Sequence, residues 1–315
     1  MQTIKIKATT LEAFYSQIKN TFKDNKLKKV ENKKLKWETS IAKIDKLLKK
    51  KLKKCDSKIT FEKLVKYDYE QIQKLVKFLD DSPAITKLTK EQKDYFLTLY
   101  SRLNKPWFIN ELEMKVCPYC NRNYIFNFLK ADTKKATAQL DHFFDKSTYP
   151  YLAISMYNLV PSCSTCNQRK SSKKVTIFYP YLESFNESVK FKYDGIKSRE
   201  ELSNQELDFF DEKRVEFHLE PIKNEEKVKK HIEVFNLKPL YDEHKDIVAE
   251  LLQKRVIYPD SYIDELFERY EETLFNTRED VLRLVTCGYV TDDEIGKRPL
   301  SKLIKDISEE LGLLK

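Results

Sequence analysis

Two Cys-x-x-Cys pairs are the residues whose types and spacing most directly predict chemistry. The first pair is Cys117 and Cys120, and the second is Cys163 and Cys166. Each pair presents two sulfur atoms from one tight turn, and two such turns can enclose a zinc ion with no open coordination position. The pattern therefore predicts a structural zinc site. The alternative is four unrelated cysteines in a reducing compartment, where paired cysteines favour metal over disulfides.

Three kinds of polar side chain that could act on a phosphodiester lie between and just after these pairs. His142 is one of four histidines in the chain, and a histidine near its ordinary pKa can take a proton from water. Asp141, Asn158 and Asn167 offer carboxylate and amide oxygens, which suit Mg²⁺ better than zinc. Residue types alone leave a structural role open, because adjacent residues on a regular strand point to opposite faces.

The segments that hold these side chains resemble a known family. Ala138–His142, Tyr157–Pro161 and Cys163–Lys170, in that order, are similar to the ββα-metal motif of HNH endonucleases. They match the subgroup in which two zinc knuckles hold the motif together. The resemblance covers roughly residues 115 to 175 and includes each ordered position of the family motif.

The resemblance implies a role for each motif residue. His142 corresponds to the general base, and Asp141 and Asn167 correspond to ligands of a catalytic Mg²⁺ or Mn²⁺ ion. Asn158 corresponds to the asparagine that braces the long loop and orients the histidine. Many relatives have proline where this chain has Asp145, so the role of that aspartate is left open.

The implied reaction is hydrolysis of a nucleic-acid phosphodiester. Water deprotonated by His142 would attack phosphorus while a divalent cation stabilises the developing charge, leaving 5′-phosphate and 3′-hydroxyl ends. Four basic residues after the metal helix are expected to contact flanking phosphates, with a solvated helix end as the alternative. They are Arg169, Lys170, Lys173 and Lys174.

Composition and charge agree with a mostly helical, nucleic-acid-binding chain. Only four glycines occur among 315 residues, which leaves little room for Gly-rich phosphate loops. Residues 1–60 carry eighteen lysines against six acidic residues; this excess suits a polyanion, although a solvated helix surface explains it equally well. The start of the chain lacks the pattern of a signal peptide and no apolar run is long enough to span a bilayer, so we expect a cytoplasmic protein without membrane contact.

These features predict an α+β, mostly helical fold. Its centre would be a ββα-metal HNH core held by a four-cysteine zinc site, within helical N- and C-terminal regions. The expected divisions are a basic helical region at 1–110, the nuclease core at 111–180, and a hairpin followed by helices at 181–315.

Hydrophobic periodicity and turn residues predict the elements that would position the motif. Leu11, Phe14, Ile18 and Phe22 recur at helical spacing, as do Leu35, Ile41, Ile44 and Leu48. Predicted helices cover Thr60–Leu79, Thr89–Leu103, His244–Ile257, Ser261–Phe275 and Leu300–Leu313, and another begins near Cys166. Predicted strands cover Tyr124–Phe126, Thr137–Leu140, Tyr157–Val160, Val189–Tyr193 and Val215–Leu219.

The flanking regions suggest a biological setting and a partner. Phe178–Leu182, Leu237–Ile257 and Lys297–Leu303 look similar to bacterial HNH proteins encoded beside an ATPase in anti-phage systems, of which the Septu type is the best known. The resemblance implies a defence nuclease that cleaves DNA in preference to RNA and acts with an ATPase. Alternatives are an RNA- or tRNA-cleaving nuclease and an inactive zinc-organised nucleic-acid-binding or adaptor module. Sequence specificity, trigger and oligomeric state do not follow from the residues.

Overall fold

A computed structural model of the chain describes residues 3–21, 41–130 and 133–314. Within these ranges helices far outnumber strands, and the strands form three two-stranded antiparallel sheets. The fold is therefore α+β and mostly helical, as predicted. Phe22, Leu35 and the lysines of segment 22–40 lie outside the described residues.

Short amphipathic helices make up the described N-terminal region, and their apolar faces enter the core. Phe14 and Ile18 are buried as their spacing predicted, and so are Ile44 and Leu48. The helices are α1 (Ala8–Asn20), α2 (Ile41–Leu52), α3 (Phe61–Lys66), α4 (Tyr69–Asp81), α5 (Pro83–Thr86), α6 (Lys90–Ser101) and α7 (Lys105–Glu111).

The predicted helix from Thr60 to Leu79 is wrong in its length, because the chain forms two helices there. Thr60 caps α3 as expected, but Tyr67 is not helical. Asp68 then begins α4 with a capping box, in which its side chain and that of Gln71 bond each other's backbone N–H groups. An Asp-x-x-Gln sequence of this kind satisfies otherwise unpaired donors at a helix start.

The central region is a ββα unit preceded by a hairpin. A long loop with 3₁₀ turns at Pro150–Ile154 and Met156–Asn158 joins the two strands of the unit. The hairpin strands are β1 (Asn127–Lys130) and β2 (Thr133–Ala136), and the unit consists of β3 (Gln139–His142), β4 (Leu159–Ser162) and α8 (Ser164–Lys170).

The predicted strand positions in this region are offset from the observed ones. Strand β4 includes Pro161, which we expected to end it. Proline is tolerated because β4 pairs only with β3, so a residue without an N–H group can face the open edge. Helix α8 begins at Ser164 with Cys163 as its N-cap, earlier than predicted.

The C-terminal region pairs two strands and packs helices against them. Strands β5 (Val189–Tyr193) and β6 (Phe217–Pro221) are antiparallel, close to the predicted hairpin. The helices are α9 (Arg199–Ser203), α10 (Glu225–Phe235), α11 (Leu237–Asp242), α12 (Lys245–Ile257), α13 (Asp260–Tyr270), α14 (Arg278–Thr286) and α15 (Ser301–Glu310).

One large buried cluster takes residues from all three regions, from Ile4 to Leu313. The turn after the first cysteine pair is joined to the C-terminal region by Asn121, whose amide donates to the carbonyl of Ile295 at 2.9 Å and accepts from the N–H of Lys302 at 3.0 Å. The division at residues 110 and 180 stays a prediction. Among the described helices, none has the length and apolar character needed to cross a bilayer.

His231 on α10 also connects the first cysteine pair to the C-terminal region. Its ring is buried and stacks on Phe185 with centroids 4.4 Å apart. Nε2 lies 2.9 Å from the carbonyl oxygen of Tyr119; since a carbonyl can only accept, Nε2 must carry the proton. Burial lowers the pKa of His231 to about 4, so the ring is neutral at pH 7.

His231 should make folding stability depend on pH. Its pKa is lower in the folded chain than the unfolded value of about 6.5, so its contribution is complete above that pH and is lost as pH falls toward 4, by on the order of 3 kcal/mol. His231→Phe should therefore lose less stability than the wild type over this interval. Urea unfolding at stepped pH measures this, with the exposed His218→Phe as control. Parallel curves for wild type and His231→Phe would contradict the assignment.

Candidate functional site

The four paired cysteines form one buried cluster. Their sulfur atoms all lie within 4.8 Å of one another, and Cys120 Sγ is 4.0 Å from Cys163 Sγ. Tetrahedral zinc–thiolate bonds of about 2.3 Å require sulfurs roughly 3.8 Å apart. The cluster could therefore hold a zinc ion, and no other group of three or more Cys, His, Asp or Glu within the described residues is arranged to bind a metal.

Backbone and amide donors point at these sulfurs. The N–H of Cys163 lies 3.4 Å from Cys117 Sγ, and the N–H of Arg122 lies 3.4 Å from Cys120 Sγ. The amide of Asn123 donates to Cys163 Sγ at 3.4 Å. Such donors stabilise the thiolate form that binds metal. These hydrogen bonds support the predicted zinc site independently of the cysteine spacing.

A cleft of about 590 Å³ lies beside the ββα unit and brings three of the predicted catalytic residues together. Asp141 and His142 reach it from β3, and Asn167 reaches it from α8. Asn158 does not line this cleft. The other lining residues are Tyr100, Lys105, Ala138, Gln139, Leu140, Asp145, Lys146, Gln168, Ser171 and Ser172.

His142 is held in one tautomer. Its Nε2 lies 3.0 Å from the carbonyl oxygen of Ala153, so Nε2 carries the proton and Nδ1 is the nitrogen that can accept one. The ring packs edge-on against Tyr100 with centroids 4.5 Å apart. Burial, together with the charges of Lys146 and Lys170, lowers the pKa of His142 to about 4. A neutral ring with an available Nδ1 is the form that a general base needs at pH 7.

Asp141 is more enclosed than a solvent-facing metal ligand would be. Its side chain is 3% exposed; Oδ2 accepts a 2.7 Å bond from the Tyr119 hydroxyl, and Oδ1 lies 3.1 Å from Lys170 Nζ. The same ammonium group donates to the backbone carbonyl of His142 at 2.7 Å. Burial raises the pKa of Asp141, and the Lys170 charge and the Tyr119 hydroxyl act in the opposite direction. Lys170 thus supplies the countercharge of this buried carboxylate.

Asn158 braces the loop that positions His142. Its amide donates to the carbonyls of Phe144 and Leu152, both at 3.0 Å, and its carbonyl oxygen accepts from the N–H of Phe144 at 2.8 Å. Leu152 precedes Ala153, whose carbonyl holds the histidine. This is the geometry that the HNH resemblance implies for the middle asparagine, and its effect on catalysis stays a prediction.

Asp145 organises the start of the same loop. Its carboxylate accepts from the N–H groups of Ser147 at 3.0 Å and Thr148 at 2.9 Å, and from both hydroxyls. These bonds hold the pKa of Asp145 below its usual range despite partial burial. The residue therefore shapes a turn, which is the kind of task that a proline performs at such a position.

Asn167 lies at the edge of the cleft with its orientation fixed by one bond. Its amide nitrogen donates to Oε1 of Gln139 at 2.6 Å. That bond leaves the carbonyl oxygen of Asn167 as the atom with acceptor capacity for a cation.

The four predicted phosphate contacts occupy different environments. Lys170 is 1% exposed, so the predicted surface contact does not fit its position: α8 turns this side chain inward, toward β3. Arg169 donates to the carbonyl of Phe235 at 3.3 Å, and Lys174 pairs with Asp80 at 2.7 Å. Lys173 is exposed and remains a candidate.

Several cleft residues carried no signal in the sequence. Tyr100 and Lys105 belong to N-terminal helices, and Lys146 follows His142 by four positions. Tyr119 lies inside the first cysteine pair, and this proximity to the zinc ligands is the one feature that could have indicated it. Tyr100 and Lys105 reach the cleft only through packing of α6 and α7 on the central unit.

The buried ion pair generates a stability prediction. Lys170→Met should destabilise the fold by about 3–5 kcal/mol, because it leaves the Asp141 carboxylate buried without a countercharge. Lys173→Met, at the surface, should stay within about 0.5 kcal/mol of the wild type. Denaturant unfolding measures both. Adding Asp141→Asn to Lys170→Met should recover part of the loss, whereas simple additivity of the two changes would contradict a coupled pair.

The cysteine cluster generates a prediction about metal content. The purified protein should contain one zinc per chain, and Cys163→Ser should lose it together with a large part of its thermal stability, because structural zinc contributes directly to folding. Elemental analysis and thermal unfolding measure this. Cys287→Ser, at an exposed cysteine, should change neither. Full zinc content in Cys163→Ser would exclude the cluster as the binding site.

Comparisons with known proteins give one distant relationship. No protein-family model and no solved structure match the chain. The chain is 27% identical over 117 residues to the Septu protein PtuB of Bacillus thuringiensis. The match covers 36% of this chain and 45% of that relative, so it spans less than half of the relative's length. The chain is therefore distantly similar to a Septu protein over about a third of its residues.

Proposed function

We propose that this chain is a metal-dependent endonuclease of the HNH type that hydrolyses nucleic-acid phosphodiesters, with DNA favoured over RNA. We further propose that it acts in anti-phage defence together with an ATPase. The observation that carries the catalytic proposal is the cleft itself, in which the neutral His142 ring lies beside Asp141 and Asn167. The similarity to a Septu protein and the likeness of the flanks to ATPase-linked HNH proteins support the setting in defence.

His142 would act through Nδ1. With Nε2 bonded to Ala153, a water molecule in the cleft can lose its proton only to Nδ1 of this ring. The lowered pKa of His142 keeps that nitrogen unprotonated near neutral pH. The four-cysteine cluster would help to position Asp141, because Tyr119 lies between Cys117 and Cys120 and its hydroxyl donates to the Asp141 carboxylate.

Asp141 and Asn167 fit a hard divalent cation such as Mg²⁺ or Mn²⁺ by donor type, since both present oxygen atoms. Each carboxylate oxygen of Asp141 accepts one bond from the protein and keeps a second lone pair. When bound, the ion would neutralise charge that develops on the phosphoryl oxygens. Lys170 bonds the same carboxylate, so it sets how far Asp141 can shift toward such an ion.

One observation favours the inactive adaptor as second candidate. The charge of Asp141 is already balanced inside the protein by Lys170, and a carboxylate in that state needs no metal. The four-cysteine cluster would then organise a binding surface alone. Cleavage of RNA or tRNA by the same cleft is the alternative within the nuclease class, because these contacts do not distinguish the two sugars.

Replacement of His142 tests the function. Purified protein with Mg²⁺ or Mn²⁺ should nick or linearise supercoiled plasmid, and His142→Ala should reduce the rate at least about a hundredfold because general-base catalysis contributes roughly 10²–10⁴-fold. Zinc content and the folded state should be retained. Gel assays on plasmid and total RNA measure this, with exposed His218→Ala as the matched control.

The outcomes separate the candidates. Cleavage confined to RNA would select the RNA nuclease. Turnover that persists in His142→Ala would remove this histidine as the base. Absence of cleavage by the protein alone and in the presence of a Septu-type partner ATPase would select the adaptor.

A further inference from the structure

Two lysines that line the cleft make cation–π contacts with the same tyrosine ring. Lys105 Nζ and Lys146 Nζ each lie 4.5 Å from the centroid of the Tyr100 ring. Both side chains are half-buried, and Tyr100 in turn contacts His142. Burial and the charge of Lys146 both lower the pKa of Lys105. An anion near the two ammonium groups would favour the charged form of both.

Within the described residues, no carboxylate is paired with either lysine. Neither lysine forms an ion pair there, whereas 24 other pairs of basic and acidic groups do. Two carboxylates line the same cleft: Asp141 is bonded to Lys170 and Tyr119, and Asp145 is bonded to the turn that follows it. An anionic ligand beside His142 is therefore the partner that the two lysines lack.

A strip of exposed aromatic side chains runs from the residues just before β1 into that strand. Tyr124, Phe126 and Phe128 are 48%, 44% and 43% exposed, while Ile125 between them is buried. The alternation places all three rings on one face of an extended segment, and the Tyr124 and Phe126 rings contact each other edge to face with centroids 5.7 Å apart. Most tyrosines and phenylalanines of this chain enter the core, so three on one exposed face require a separate reason.

The aromatic strip is joined to the lysine pair through α7. The amide of Asn127, between Phe126 and Phe128, donates to the carbonyl of Pro106 at 2.6 Å. Pro106 follows Lys105 at the start of that helix, and α7 packs against both hairpin strands. The hairpin is therefore a direct neighbour of the helix that carries Lys105, and the aromatic strip lies on the hairpin face turned away from that helix.

We propose that the cleft takes single-stranded nucleic acid: Lys105 and Lys146 bind backbone phosphate beside His142, and the aromatic strip stacks the unpaired bases. This inference rests on the proposed nuclease function and names its substrate class. Aromatic rings stack on any base but need the base to be unpaired, and positively charged grooves follow the backbone. A duplex keeps its bases stacked internally and offers the strip little contact.

The test is equilibrium binding of a fluorescent oligo(dT) and of a duplex of equal length, measured by anisotropy at several salt concentrations. The His142→Ala background without added divalent cations prevents cleavage. Adding Lys105→Gln and Lys146→Gln should weaken oligo(dT) binding and lower the slope of log affinity against log salt by roughly 1.4, because each single-strand phosphate contact contributes about 0.7. Adding Phe126→Ala and Phe128→Ala should weaken oligo(dT) binding roughly tenfold or more at unchanged slope, and should leave duplex binding unaltered.

Matched controls are Lys90→Gln, an exposed lysine at the far end of the helix that carries Tyr100, and Tyr262→Ala, an exposed aromatic residue on α13. Neither should change affinity or slope. An unchanged slope in the lysine variant, or unchanged oligo(dT) affinity in the aromatic variant, would overturn the proposal. Docking of a protein on the strip would give the second of these results. Because the assay requires no turnover, failure of the nuclease proposal shows as absent cleavage with these binding differences intact.

Discussion

The four buried sulfur atoms are the constraint on which the central part of the structure depends. Their two turns come from distant parts of the chain, and the residues around them bond outward. Tyr119 connects the first turn to Asp141 through its hydroxyl and to His231 through its carbonyl. The carbonyl of Cys120 accepts from Tyr241 at 2.6 Å. A metal ion in the cluster would thus hold the cleft and the C-terminal helices to one reference point, without taking part in chemistry.

A second constraint is the charge balance beneath the cleft. Lys170 lies under Asp141 and also holds the backbone carbonyl of His142, so the end of β3 is fixed by a side chain of α8. Buried ion pairs add little net stability, but removal of one partner is costly because it leaves a buried charge uncompensated. The Asp141–Lys170 pair therefore forms one side of the cleft. The groups that remain to act on a ligand are the His142 ring, Asn167, and the side chains of Lys105 and Lys146.

The sequence allowed the four-cysteine cluster and the ββα order to be predicted, because cysteine spacing and strand–helix periodicity are local signals. The helix starts at Thr60 and Thr89 were likewise predictable from capping residues. The inward turn of Lys170 was not, since its spacing on α8 equally suits a solvated helix end. Tyr100 and Lys105 were not predicted, because a contact between residues far apart in the sequence leaves no local pattern. The bond from the Tyr100 hydroxyl to the carbonyl of Leu140, forty residues away, is an example.

That bond from α6 to β3 bears on how the motif can be used. The Tyr100 hydroxyl lies 3.2 Å from the Leu140 carbonyl, and its ring forms one wall around His142. A segment cut out at residues 115–175 would carry every motif residue and every zinc ligand, yet it would open this wall to water and return the histidine to ordinary hydration. The motif alone would therefore not keep this geometry. In another protein it would need an aromatic residue of that protein in the place of Tyr100.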